Sequence, residues 1–193
     1  MRKYLFCAVS SALLTCAIVS SATAQYSAWG SGLSNRTTND VIRILQGDFR
    51  ECGQLILVFR YDCYSQSYRS AADRLDGLDA YAPAQEALRL VERRIASVIA
   101  ANLDRSQPPL RQGSRRFNAV RENAVPLLRR ETIRAMDEAQ TVLLRSPTVQ
   151  QRPHYAKIAS VIDSNKVLLR SALLQFGTHI RRVASLIRTS ATA

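Results

Sequence analysis

The stretch Cys52-Gly-Gln-Leu-Ile-Leu-Val-Phe-Arg-Tyr-Asp-Cys63 admits two incompatible folds, and the choice between them fixes the first third of the chain. Drawn as one helix over 41–63, it places Val41, Leu45, Phe49, Cys52, Ile56, Phe59 and Cys63 on a single face, at steps of 4, 4, 3, 4, 3 and 4. The two thiols would then stand about 16 Å apart, since each helical residue adds about 1.5 Å. A disulfide needs Cα atoms about 4.4–6.8 Å apart. A continuous helix and a Cys52–Cys63 bond therefore exclude each other.

The N-terminus decides between them. Arg2 and Lys3 precede an uncharged run over 4–19, and Ala22-Thr23-Ala24 follows with the small-x-small pattern read by signal peptidase. These are the three parts of a secretory signal, with cleavage expected before Gln25. The apolar run is shorter than the roughly 20 residues of a membrane-spanning helix. Thr15 directly before Cys16 fits a lipoprotein signal poorly. Removing 1–24 takes Cys7 and Cys16 and leaves Cys52 and Cys63 alone in an oxidising compartment, periplasmic or secreted, where exported cysteines normally pair. The expected structure is a Cys52–Cys63 disulfide with the backbone turning between Gly53 and Phe59, Gly47 and Gly53 offering places to break.

Other uses of the pair fit less well. Thiol–disulfide exchange centres carry Cys-x-x-Cys at a helix start. A structural zinc site takes four ligands, and only His154 and His179 could join the cysteines. Cys-x-x-Cys-His, the attachment site of covalent haem, does not occur. No metal and no cofactor is expected.

The rest of the chain reads as helix. Residues 25–38, rich in Gly and Ser, form an expected flexible leader; 39–188 form a single helical-bundle domain, and 189–193 a disordered tail. Asn39 is an N-cap for a first helix ending near Gly47, and a second helix covers 61–75. Pro83 opens a third, in which Ala84, Leu88, Val91, Ile95, Val98 and Asn102 make one stripe. Residues 104–114, with Pro108-Pro109 and Gly113, are a loop. A fourth helix is expected over 115–145, kinked or restarted at Pro126, with Phe117, Val120, Ala124, Leu128, Ala135, Ala139 and Val142 inward. The last, over 153–188, carries Tyr155, Ile158, Ile162, Asn165, Leu169, Ala172, Phe176, Ile180, Val183 and Ile187 at 3/4 spacing. Such a stripe needs several helices to cover it. The expected fold is all-α, an antiparallel four- to five-helix bundle with one intrachain disulfide.

The chain has 193 residues, 24 Arg, 3 Lys and 15 acidic groups. Removal of the signal leaves 25 basic and 15 acidic groups, a net charge of +10. Codon usage in a GC-rich genome accounts for the Arg excess, and so does recognition of carboxylate or phosphate by the guanidinium fork. Arg111, Arg115, Arg116, Arg121, Arg129 and Arg130 form the densest basic region and the candidate anion-binding face. Glu122 and Glu131 interleave at spacings suited to salt-bridged helix surface. Asn102 and Asn165 interrupt apolar stripes and form a candidate polar core pair. His179 borders the inward stripe of the last helix, while His154, at its start, reads as solvated. Tyr61, Tyr64, Tyr68 and Tyr81 concentrate near the cysteines, with Arg60 and Arg69 close in sequence.

No Gly-rich phosphate loop, nucleophile elbow, His-Glu-x-x-His or recognisable carboxylate pair is present, so no catalytic residue is assigned and no enzymatic activity is expected. The expected function is an exported, non-catalytic adaptor or binding module. Its expected partner is an envelope protein or a second copy of itself. The alternative is a bundle that binds anionic lipid or polyanion through its Arg-rich face. Specific nucleic-acid binding is not expected, and nor is a transmembrane segment in the processed chain.

Overall fold

The computed structural model describes residues 32–145 and 147–190, with side chains through Ser171. The expected signal, most of the expected leader, the last three residues, Cys7, Cys16 and the side chains of Ala172, Phe176, His179, Ile180, Val183 and Ile187 lie outside the described residues. The described chain is mostly helical. Its five helices are α1 (Asn35–Gln54), α2 (Leu57–Asp73), α3 (Ala82–Ala101), α4 (Val125–Arg145) and α5 (Arg152–Ser190).

α1 starts four residues before the expected cap. Ser34 is its N-cap, and the Ser34 hydroxyl accepts from Thr37 N–H at 3.0 Å. Residues 35–38, expected in the leader, are thus its first turn. The helix continues through Gly47 and Gly53, neither of which breaks it. Instead it ends at Leu55-Ile56: Leu55 is extended, with φ −69° and ψ 159°, and Leu57 opens α2. This turn lies inside the expected interval, but apolar residues make it. Leu55 is buried in the core while Ile56 is 68% exposed, and Arg60 Nε donates to the Leu55 carbonyl at 2.7 Å. Covalent closure replaces the glycine a helix end normally uses. Cys52 in the last turn of α1 and Cys63 in the second turn of α2 are bonded, with Cα atoms 5.6 Å apart and both side chains buried.

α3 has Pro83 in its first turn, where no backbone N–H is needed, and Asn102 at its C-cap. The chain then departs from the expected loop and the expected start of the fourth helix. Leu110–Gln112 (β1) and Arg115–Phe117 (β2) form an antiparallel hairpin, pairing Leu110 with Phe117, Arg111 with Arg116 and Gln112 with Arg115. Gly113, at φ +59°, occupies the two-residue turn, a conformation that side chains with a Cβ rarely adopt. Strand alternation was invisible because each strand has only three residues, one of the six being the buried Phe117.

Pro126 is therefore the second residue of α4, where proline begins a helix, as the restart expected there requires. Six of the seven expected inward residues are buried; the exception is Val142, 41% exposed, with Leu143 buried in its place. The step after Ala139 is four residues, not the expected three. Over its described side chains α5 keeps the predicted face, with Tyr155, Ile158, Ile162, Asn165 and Leu169 buried.

Contacts run α1–α2, α2–α3, α3–α4 and α4–α5, and α1 also packs on α5. Arg69–Glu92 and Arg89–Asp73 show α2 and α3 running in opposite senses. Gln140–Ala159 and Arg129–Arg170 show the same for α4 and α5. Asn35–Lys157 and Asn165–Leu45 show α1 and α5 running in the same sense. These packing contacts are consistent with a helical bundle. One pole gathers the ends of α1 and α3 with the starts of α2 and α4. The other gathers the starts of α1, α3 and α5. No helix among the described residues is long and apolar enough to cross a membrane.

Candidate functional site

The pole at the disulfide holds all six arginines of the predicted basic face, but the structure gives them different tasks. Arg115 pairs with Asp48 at 3.2 Å, donates to the Cys63 carbonyl at 3.4 Å and lies over the Phe117 ring at 5.1 Å. Arg121 donates to the Ala101 carbonyl at 3.0 Å and to Asn102 Oδ1 at 3.3 Å, closing the end of α3. Those two hold the fold. Arg111 and Arg116 stand directly opposite one another on the hairpin, both exposed. Arg130 is exposed on α4, and Arg129 turns toward α5, where it donates to the Arg170 carbonyl at 2.8 Å. The predicted basic face is thus a hairpin pair, two structural arginines and two helix-start arginines. Of the two interleaved acids, Glu131 pairs with Arg134 and Arg94, each at 3.3 Å.

The hairpin is fastened to α2 by polar contacts. Asp62 Oδ2 accepts from Asn118 N–H at 2.6 Å and Asn118 Nδ2 at 3.1 Å. Gln66 Nε2 donates to the Arg116 carbonyl at 2.7 Å, and Val120 N–H to the Val58 carbonyl at 3.0 Å. Burial raises the Asp62 carboxyl above its ordinary value, against the lowering effect of the Asn118 donors.

A crevice of about 430 Å³ lies between the end of α1, the starts of α2 and α4, and α5. Arg50, Arg60 and Arg129 line it, together with Tyr61, Tyr64 and apolar residues such as Leu57 and Leu168. No carboxylate among the described residues lines it. Phe49 stacks on Tyr64 at 4.1 Å between centroids, and Tyr61 meets Tyr64 edge-on at 5.8 Å. Burial pushes both phenols up, so they are neutral donors at physiological pH; Arg129 and Arg60 pull Tyr61 back partway. The local grouping of Arg60, Tyr61 and Tyr64 was visible in the sequence. Arg50 was not, and Arg129, although counted in the predicted basic face, was not placed beside these three, because both reach the site from other helices.

The other predicted aromatic members sit elsewhere. Tyr68 is fully buried in the core, and Tyr81 lies at the opposite pole. There Thr38 Oγ1 stands 2.7 Å from both Tyr81 Oη and His154 Nδ1, and Tyr81 Oη donates to the Ser34 carbonyl at 2.8 Å. His154 is therefore engaged and half-buried, where a solvated ring was expected. A hydroxyl beside an imidazole has the composition of a nucleophile–base pair, but Thr38 is fully buried and also bonds to the Ser34 carbonyl at 3.0 Å. The group ties α1, α3 and α5 together.

Asn102 and Asn165 do not pair. Asn102 Nδ2 donates to the Val98 carbonyl at 2.8 Å within its own helix, and Asn165 Nδ2 to the Leu45 carbonyl of α1 at 3.3 Å. Stripe position alone could not show that they sit on non-adjacent helices at different levels. Groups of three or more metal-ligating side chains do not occur among the described residues. Comparison with family models, curated proteins and solved structures finds no match.

Proposed function

We propose that this chain is an exported, non-catalytic binding module: a single helical domain, folded as a five-helix bundle in the periplasm or outside the cell. It acts as an adaptor that presents its basic pole to an acidic surface of an envelope protein. The observation that carries this reading is the Arg111–Arg116 pair. Like charges directly opposite on an antiparallel pair destabilise it, and a two-stranded hairpin is marginal to begin with. Both guanidinium groups are nevertheless held outward at the tip of a hairpin that α2 clamps in place. An anionic partner relieves that repulsion on binding and gains the bidentate geometry of two planar forks. The test is capture from washed envelopes by the processed protein, comparing wild type with Arg111→Gln/Arg116→Gln. Salt-sensitive capture that the double variant loses supports the reading. Unchanged capture by the variant, or a native mass spectrum showing only bare monomer, counts against it.

The second reading is direct binding to anionic lipid or polyanion through the same exposed arginines, Arg130 included. It requires adhesion to phosphatidylglycerol vesicles that falls steeply as ionic strength rises. Salt-independent adhesion, or none at low salt, removes it.

A further inference from the structure

We propose that the crevice at the disulfide pole binds one single-chain anionic amphiphile, its carboxylate or phosphate head held by Arg60 and Arg129 and its tail laid along Leu57 and Leu168. The site is distinct from the hairpin tip and does not rest on the reading given to it. Its volume, about 430 Å³, falls within the range that small-ligand pockets occupy, roughly 300–1,000 Å³. Each guanidinium has five N–H donors in a fixed fork. Arg60 commits Nε to the Leu55 carbonyl and Arg129 one terminal nitrogen to the Arg170 carbonyl. Both side chains are thereby oriented by backbone acceptors while retaining donors for an oxyanion. Arg50 adds a third cation at the rim.

The phenols of Tyr61 and Tyr64 bring two further donors, and among the described residues the wall offers no carboxylate to compete with a bound anion. Leu57 and Val125, the first residues of α2 and α4, both line the crevice. A plain inorganic anion would leave the other half of the wall unexplained. Leu168 is 56% exposed at the rim, and Leu57, Val125 and Leu169 continue an apolar surface inward. Cationic head positions beside an apolar track match a ligand with one charged end and one greasy end.

The test is titration calorimetry on the processed, disulfide-bonded protein at about 0.1 M salt, where exposed charges more than about 10 Å apart are largely screened. Dodecanoate and dodecyl phosphate are titrated below their micellar concentrations; inorganic phosphate, octyl glucoside and dodecyltrimethylammonium are the comparison probes. One-to-one binding of either dodecyl anion, weakened at least tenfold by Arg129→Gln and by Leu168→Ser, supports the proposal. Arg60→Gln should act likewise, with Arg129→Gln and Leu168→Ser as variants that leave the α1–α2 corner intact. Inorganic phosphate bound as tightly as the dodecyl anions would overturn the amphiphile assignment. So would equal binding of the neutral or cationic amphiphile, unchanged affinity in the variants, or no binding at all. Arg111→Gln/Arg116→Gln should leave dodecanoate affinity unchanged, which separates failure here from failure of the adaptor reading.

Discussion

Tyr68 is fully enclosed, and its hydroxyl is the buried side-chain polar atom that lacks a hydrogen-bond partner among the described residues. Its ring packs edge-on against Phe49 at 6.2 Å, so the aromatic body is well used and the polar tip is not. Leaving a buried hydroxyl unsatisfied costs about 1–3 kcal/mol. Tyr68→Phe should therefore leave stability unchanged or raise it by about 1 kcal/mol, read by urea denaturation. A loss of that size would mean that the neighbouring Asn165 amide is a true partner. His154 supports a second prediction. Burial, and next the positive charge of Lys157, hold its ring below the ordinary value of 6.5. The unfolded chain then takes up a proton at higher pH than the folded one does. Stability should rise with pH through the interval just below 6.5 and level off above it. Thermal melts across that interval should show the slope in wild type and a flatter profile in His154→Gln.

Between Gln54 and Leu57 one helix becomes two without a glycine or proline at the break, so the covalent bond carries a larger share of the local geometry. Replacing both cysteines by alanine should cost about 2–3 kcal/mol by the chain-entropy account, with helix content by circular dichroism retained at low temperature. Gly47 supplies the opposite case. It is helical, and a Cβ there would meet no atom within 4 Å. Gly47→Ala should stabilise by about 0.5–1 kcal/mol, the usual difference between the two residues inside a helix, and a denaturation midpoint checks it. The sequence assigned Gly47 to a helix end because glycine is locally permissive. The apolar face from Val41 to Cys52 was legible, but it was set aside with the longer helix it was drawn on; packing drives it straight through that position. The hairpin failed to register for a related reason. Its six residues take their conformation from α2 and from Gly113, not from any alternation of their own.

At the scale of the whole molecule, the periodic stripes of α3 from Ala84 to Ile95 and of α5 from Tyr155 to Leu169 were legible because burial repeats with the helix itself. The disulfide was legible by elimination. The crevice was not, since it is assembled from α1, α2, α4 and α5, and only its α2 share is contiguous in sequence. The expected export signal has its own test. Native mass spectrometry of material drawn from envelopes should report a chain beginning at Gln25 and lighter by the two hydrogens lost on cysteine oxidation. A mass that includes residues 1–24, or two free thiols, would undo the compartment on which the adaptor reading depends.

The same-sense packing of α1 and α5 has a mechanical consequence. Alternating helices that number five and close on themselves must leave one neighbouring pair running the same way, so α1 starts at one pole and α5 finishes toward the other. A pull between those two points loads the α1–α5 seam in shear, along the rods, where many contacts must yield together. An even-numbered bundle would place both points side by side and let the same pull peel its contacts apart one after another. A link built this way resists being drawn out lengthwise.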